Sequence, residues 1–176
     1  MRINLKQAMR NVAIGGILAG TALGAHAATD GALGFTSTGD LTIDLVVADE
    51  VRISGMSDIV LNFSGVDETD TSDACIYRNG NTAYQITGTG DGAGNAFELT
   101  DGTNTVPYSV TFDDGNAVAP LLSGTALGAT NADTVDTDCL GAGPNALISV
   151  TVTAADAATL PAATYTGTLT LLVAPI

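Results

Sequence analysis

Short segments in which apolar and polar residues alternate limit most strongly how this chain can fold. A two-residue period places every second side chain on one face of an extended strand, and Gly, Asn, Asp and Pro separate the segments as turn residues do. The apolar sets are Leu41, Ile43, Leu45 and Val47; Val51 and Ile53; Ile59, Leu61 and Phe63; Tyr84 and Ile86; Phe97 and Leu99; Val106, Tyr108, Val110 and Phe112; Ile148, Val150 and Val152; and Tyr165, Leu169, Leu171 and Val173. The pattern predicts an all-β fold, an antiparallel Ig-like β-sandwich of about seven to nine short strands in one domain.

Two local signals add detail to this prediction. Asp101-Gly102, which lies between two alternating sets, is typical of a β-hairpin turn. Residues 154–159, just before Pro161, are long enough for one helical turn. Because no segment after residue 27 keeps a 3.6-residue period over three turns, we expect no longer helix.

Residues 1–27 have the three parts of a secretory signal peptide. An apolar run over 12–23 is followed by the small-x-small cleavage pattern Ala25-His26-Ala27, and we predict cleavage between Ala27 and Ala28. The preceding basic residues are Arg2, Lys6 and Arg10. An uncleaved anchor is the alternative, but the run is shorter than the roughly 20 residues that a spanning helix needs. We therefore expect an exported chain, first in the periplasm and then at the cell surface or outside the cell, with no membrane insertion of the mature part.

The composition left after that cleavage argues against most catalytic chemistry. Residues 28–176 contain no His, Lys or Trp, so they offer no Ser-His-Asp nucleophile, no imidazole ligand for zinc and no Schiff-base lysine. Nineteen acidic residues stand against two basic ones, Arg52 and Arg78, a net charge of −17 that repels nucleic acid and anionic lipid. Paired carboxylates can serve a glycosidase, but aromatic residues for its sugar cleft are scarce. We predict no enzyme, no cofactor and no nucleic-acid partner.

Two cysteines remain in the exported part, Cys75 and Cys139. An even number of cysteines in an oxidising compartment favours one intramolecular disulfide. A metal site is a poor alternative, because neither a His nor a third Cys is present to complete it. The sequence therefore predicts a Cys75–Cys139 disulfide that closes a long loop.

Acidic clusters at 67–73, 113–116 and 133–138 could offer oxygen ligands to calcium. None of them has the Gly at the sixth position and the Glu at the twelfth that an EF-hand loop requires. A solvated acidic surface is the simpler interpretation, and we predict no metal site.

Two segments resemble those of a known family of surface polymers. Residues 39–47, Gly-Asp-Leu-Thr-Ile-Asp-Leu-Val-Val, resemble the N-terminal strand of pilus subunits that the archaic chaperone–usher pathway assembles and that share the spore coat protein U domain. Residues 160–171, a small-residue turn followed by Tyr165 and an alternating run, are similar to that family's last strand. The resemblance implies an Ig-like sandwich whose missing strand is supplied by the next subunit. It also implies self-association, with a periplasmic chaperone and an outer-membrane usher as partners.

The residues themselves meet the requirements of strand exchange. A donor strand must offer alternate apolar side chains to a groove while its backbone joins a sheet. The donor residues are Leu41, Ile43, Leu45 and Val47, after a flexible extension over 28–38. The acceptor strand carries Tyr165, Leu169, Leu171 and Val173. Two alternatives stay open. Residues 39–47 are either the first strand of a self-complete sandwich over 39–176, which would need the same side chains, or a disordered segment.

The function we predict is that of an exported structural subunit of a pilus or surface coat, assembled by strand complementation. The alternative is a monomeric secreted β-sandwich binding module or adhesin whose ligand the sequence does not identify, a carbohydrate and calcium being the candidates. Sugar-binding modules display aromatic platforms, for which the candidates are Tyr77, Tyr84, Tyr108 and Tyr165. Most of these tyrosines lie in alternating patterns that indicate a core position.

Overall fold

The computed structural model describes residues 28–176, so the predicted signal peptide over 1–27 and its cleavage residue Ala27 lie outside the described part. The described chain divides into two units at Val46, and the second unit is Val47–Ile176. In the first unit an antiparallel bridge joins Thr29 and Asp40 through backbone hydrogen bonds of 2.9 and 3.0 Å. Across 28–176 no helix is long and apolar enough to cross a membrane.

The second unit is almost entirely β-structure, which confirms the predicted fold class. Its strands are β1 (Val51–Ser54), β2 (Glu68–Arg78), β3 (Ala83–Gly90), β4 (Glu98–Thr100), β5 (Thr105–Pro107), β6 (Ser109–Asp113), β7 (Val118–Leu121), β8 (Ala126–Thr130), β9 (Ala146–Val152) and β10 (Leu169–Pro175). A 3₁₀ turn, Ala93–Asn95, and one short helix, α1 (Ala154–Ala157), complete the elements. The described residues thus hold ten strands, slightly more than the seven to nine expected.

All strand pairs are antiparallel and form three sheets. The largest has the order β1-β2-β9-β6-β7, the second has the order β10-β3-β8, and β4 pairs with β5 in a hairpin. The Asp101 carboxylate closes this hairpin by accepting the backbone N–H groups of Thr103 and Asn104 at 2.8 and 2.6 Å. The turn predicted from Asp101-Gly102 therefore joins β4 and β5.

The core is built from the inward faces that the two-residue period defines. Tyr84 on β3 and Phe112 on β6 meet edge to face, with ring centroids 6.4 Å apart, so they join the second sheet to the first. Around them lie the other largest side chains with almost no exposed surface, which are Ile76, Ile86, Val110 and Ile148. Each of these positions belongs to a strand with a paired neighbour on both sides. Alternation along the chain and pairing on both sides together produce the buried centre.

The longest strand, β2, was not predicted, because its first half is rich in Glu, Asp, Thr and Ser, residues of low or moderate strand propensity. The prediction of a strand through Ile59, Leu61 and Phe63 was wrong, since 55–67 contains no strand. There the backbone N–H groups are bonded by side chains of β2 instead of by a neighbouring backbone. The pairs are Ser57 N–H with Ser72 Oγ at 2.8 Å, Val60 N–H with Asp70 Oδ2 at 3.0 Å, and Ser64 N–H with Glu68 Oε1 at 3.1 Å.

A disulfide joins Cys75 on β2 to Cys139 in the loop between β8 and β9, with the two Cα atoms 5.7 Å apart and a sequence separation of 64 residues. In the same loop Asp133 pairs with Tyr77 of β2 as an isolated parallel bridge. Asn145 bonds the backbone of Ile76 through both ends of its amide, each at 2.8 Å. Closing a loop of this length stabilises the fold by about 4 kcal/mol in the chain-entropy treatment.

Candidate functional site

The last strand, β10, lies at the edge of its sheet and carries three of the four predicted acceptor residues. It pairs with β3 on one side, and no strand within 28–176 pairs with its other side. Leu169, Leu171 and Val173 are half-buried and pack against the core from one face, whereas Leu172 points the other way and is 63% exposed. This edge therefore offers an unpaired backbone and a partly covered apolar face.

Tyr165 lies ahead of β10 and not in it, so it is not part of the acceptor strand as the structure defines that strand. Its hydroxyl donates a hydrogen bond of 3.1 Å to the backbone carbonyl of Pro161. The pKa of Tyr165 is raised above its ordinary value. The main cause is the loss of solvent around the hydroxyl, and the second is the nearby negative charge of Asp101. Tyr165 is half-buried against the core, so it supports the turn that leads into β10.

A second apolar wall faces this edge from the other sheet. β1, the edge strand of the five-stranded sheet, lies in contact with β10. Its Ile53, together with Ile59 and Leu61 from the segment that follows, is half-buried and packs against the same core. We call β1, residues 59–61 and β10 the open edge. Sequence reasoning missed this second wall as part of a site, although the alternation of Ile59 and Leu61 was visible.

A polar row of β2 borders the open edge. Glu68, Asp70 and Ser72 alternate in register with the buried Ala74 and Ile76, so they lie on the core-facing side of the strand. These are the side chains that hold the backbone over 57–64. The N–H groups of Val60 and then Thr71 lower the pKa of the Asp70 carboxyl below its ordinary value. The segment beside the open edge is thus held by side-chain bonds and not by a β-ladder.

The predicted donor residues are strongly exposed. Leu41, Ile43, Leu45 and Val47 expose 71%, 86%, 86% and 73% of their surface. Residues 41–47 have no strand or bridge assignment, although their two-residue alternation would suit one. Leu33 and Phe35, in the extension before them, are fully exposed as well. This stretch therefore carries the densest set of large apolar side chains that lack cover in residues 28–176.

The acidic cluster at 133–138 has a structural role in its loop. The carboxylate of Asp133 accepts the N–H groups of Val135 and Asp136, and that of Asp136 accepts those of Asp138 and Gly141. In the described part of the chain, no group of three or more His, Cys, Asp or Glu residues is placed to hold a metal ion. This loop therefore folds around its own carboxylates.

The tyrosines considered as sugar platforms are mainly packed in the protein. Tyr84 is fully buried, and Tyr108 is 7% exposed and stacks on Phe97 with ring centroids 5.5 Å apart. Tyr77 and Tyr165 are half-buried. Burial raises the pKa of both Tyr84 and Tyr108 above the ordinary value of a phenol. Nothing in this arrangement forms a row of accessible rings.

No protein-family model matches the chain, so the resemblance to the spore coat protein U domain remains a prediction. No curated protein matches it either. A chain of the chaperone–tip adhesin complex described as vital for synergistic activation of CFA/I fimbriae biogenesis is similar in structure, with a TM-score of 0.53 and 16% sequence identity over 72% of this chain and 41% of that one. A point mutant of the CFA/I adhesin CfaE from enterotoxigenic E. coli is matched with a TM-score of 0.48 and 12% identity over 68% of this chain and 38% of that one. This chain spans about two fifths of the length of those chains, and the first likeness shows a shared fold.

Proposed function

We propose that this protein is an exported structural subunit of a pilus or surface coat and that it polymerises by β-strand complementation. One observation carries the proposal, which is that two parts of the same chain match. Residues 41–47 hold an exposed row of alternating apolar side chains, and the open edge holds a half-covered apolar face with an unpaired backbone. In the polymer, the donor residues of one subunit cover the open edge of the next.

The energetics require both parts of this match. Full burial of one aliphatic side chain contributes about 1.5 to 3 kcal/mol, and fixing the backbone of one residue costs about 1 to 2 kcal/mol. Because only alternate donor residues are buried, the two terms are of similar size over 41–47. Each backbone hydrogen bond to the free side of β10 adds about 0.5 to 1.5 kcal/mol and decides the balance. A donor that offered only its side chains would bind weakly.

The proposed partners follow from the same edge. An unpaired strand edge beside apolar surface favours aggregation unless it is covered. The structural likeness to a chain of a chaperone–adhesin complex supports a periplasmic chaperone as the temporary cover, with an outer-membrane usher as the site of exchange. Export through the predicted signal peptide, with a final place at the cell surface, completes the proposal. No catalytic step is part of it.

The test compares two neighbouring substitutions on opposite faces of the donor segment. Ile43→Asp places a charge on the apolar face and should abolish polymerisation, because a carboxylate cannot enter the core without a partner. Thr42→Asp adds the same charge on the other face and should leave polymers intact. Polymers are measured as a ladder on a denaturing gel without boiling, which boiling converts to one monomer band. Normal ladders from Ile43→Asp would refute the donor assignment, and loss of the ladder from both variants would show that charge alone matters.

A further inference from the structure

The chain just after the donor segment is held in place by Asn79. The backbone N–H of Asn79 donates to the Glu50 carbonyl at 3.1 Å, and its side-chain oxygen accepts the Glu50 N–H at 2.8 Å. Its side-chain nitrogen donates to the Ala48 carbonyl at 2.6 Å. Since β1 and β2 pair Val51 with Arg78, these bonds extend the path of β1 along the end of β2. Residues 48–50 are therefore bound to β2.

Arg78 binds Asp49, the residue between Ala48 and Glu50. Its guanidinium bonds both carboxylate oxygens of Asp49, with Nε–Oδ1 at 3.0 Å and a terminal nitrogen to Oδ2 at 2.5 Å. It also donates to the backbone carbonyls of Ala83 and Ile176. The Arg78 hydrogen bond lowers the pKa of Asp49 below its ordinary value. Asp49 is thus tied to the β2–β3 turn and to the end of β10.

Arg78 is almost fully buried, in contrast to the other arginine of residues 28–176. Only two basic residues follow residue 27, and they are used differently. The side chain of Arg52 is 51% exposed in its ion pair with Asp138, whereas that of Arg78 is 6% exposed in its pair with Asp49. Burying a guanidinium costs free energy unless its N–H groups are hydrogen-bonded. The bonds that Arg78 makes to Asp49, Ala83 and Ile176 therefore form a specific binding site for its side chain.

Residues 48–50 would form the turn of a hairpin if the donor segment folded back on its own subunit. β1 has a free side within 47–176, and the donor of the same chain could pair there as a hairpin. Between Val47 and Val51 only Ala48, Asp49 and Glu50 are available for the connection, which is a common hairpin-loop length. Folding back would break their bonds to Arg78 and Asn79.

We propose that Arg78 and Asn79 form a root anchor that makes the donor segment pair between subunits and not within one. The proposal rests on the function proposed above. Competition from self-pairing is severe, because a strand tied by a short linker has an effective concentration of about millimolar, whereas free subunits at about micromolar concentration compete roughly a thousandfold less well. By keeping residues 48–50 bound to β2, the anchor prevents them from forming the hairpin turn and so removes this advantage.

The test uses the full chain with variants matched for charge. Asp49→Ala removes the partner of Arg78, and Asp138→Ala is the control, because it removes the partner of the other arginine, whose ion pair does not include residues 48–50. Asn79→Ala loosens residues 48–50 without changing any charge. For each we would measure the monomer fraction at micromolar concentration and the capture of a synthetic peptide of residues 39–47 by the monomer. In Asp49→Ala and Asn79→Ala the monomer fraction should rise and peptide affinity should fall at least tenfold, while Asp138→Ala behaves as the wild type.

The outcomes separate the anchor from strand exchange itself. If Asp49→Ala and Asn79→Ala polymerise and capture the peptide as the wild type does, the anchor is refuted and strand exchange stands. If the wild type neither polymerises nor captures the peptide, both proposals fail. A thermal melt checks folding, and where Asp49→Ala has lost its transition, Asn79→Ala alone decides.

Discussion

The centre of the sandwich and its open edge have the same alternation of apolar and polar residues but differ in how deeply the apolar side chains are buried. Phe112 on β6 and Leu171 on β10 are both apolar residues in alternating runs. Phe112 has a paired strand on either side and exposes 1% of its surface, whereas Leu171, on an edge strand, is only half-buried. The difference teaches that alternation decides which face points inward, while strand order decides whether that face is covered.

The largest expected effect on stability comes from a substitution at the buried centre. Phe112→Ala should lower the free energy of unfolding by about 3 to 5 kcal/mol, because it leaves a cavity among side chains that cannot close it. Leu171→Ala should lower it by only about 1 to 2 kcal/mol in the isolated subunit, since the lost surface is already half in water. Urea unfolding of both variants measures this. Equal losses would mean that the edge is as well covered as the centre.

Removal of the disulfide comes next. Cys75→Ser with Cys139→Ser should lower the free energy of unfolding by about 2 to 4 kcal/mol, because the unfolded chain regains the freedom of a 64-residue loop. The bond joins β2 to the β8–β9 loop and not to β10, so the polymer ladder should persist at temperatures where the variant is folded. Thermal melts with and without reductant give the first value, and unboiled gels test the second. Loss of the ladder in the folded variant would show that the open edge depends on this loop.

Acid should produce the smallest effect, and its direction follows from the hydrogen-bonded carboxylates. Backbone and side-chain donation by Asn104, with the Thr103 N–H, lowers the pKa of Asp101 from 3.8 to about 2. A carboxyl with a lowered pKa stabilises the fold fully above its unfolded value and loses that contribution as the pH falls through its folded value. The melting temperature should therefore fall between pH 4 and pH 2. Asp101→Asn should begin lower and lose less over that window, and an equal loss would assign the acid response to other groups such as Asp70.

The sequence predicted those parts of the fold in which apolar alternation is strong. The runs through Tyr84, Val110 and Ile148 became β3, β6 and β9, and Asp101-Gly102 became a hairpin turn. β2 was missed because its first half alternates polar residues, whose core-facing members bind the backbone over 57–64 and not an apolar layer. That use of Asp70 and Ser72 depends on how the segment between β1 and β2 folds back along β2, which the pattern of apolar and polar residues could not show.

The candidate site was predicted only where it depends on alternation along one strand. Leu169, Leu171 and Val173 share one face of the last strand as the sequence indicated, but Tyr165 precedes that strand. The wall formed by Ile53, Ile59 and Leu61 and the root anchor at Arg78 depend on which elements become neighbours. A clue to Arg78 was available, since a chain with nineteen acidic and two basic residues after position 27 has few cations to place.

Hydrogen exchange of monomer and polymer, followed by mass spectrometry, tests the central claim most directly. Amides over 41–47 should exchange fast in the monomer, and both they and the amides of β10 should become slow in the polymer, because the donor and the free side of β10 then share a ladder. Ile76, at the centre of the sandwich, should be slow in both states and serves as the internal reference. Slow exchange over 41–47 in the monomer, or fast exchange there in the polymer, would contradict strand complementation between subunits.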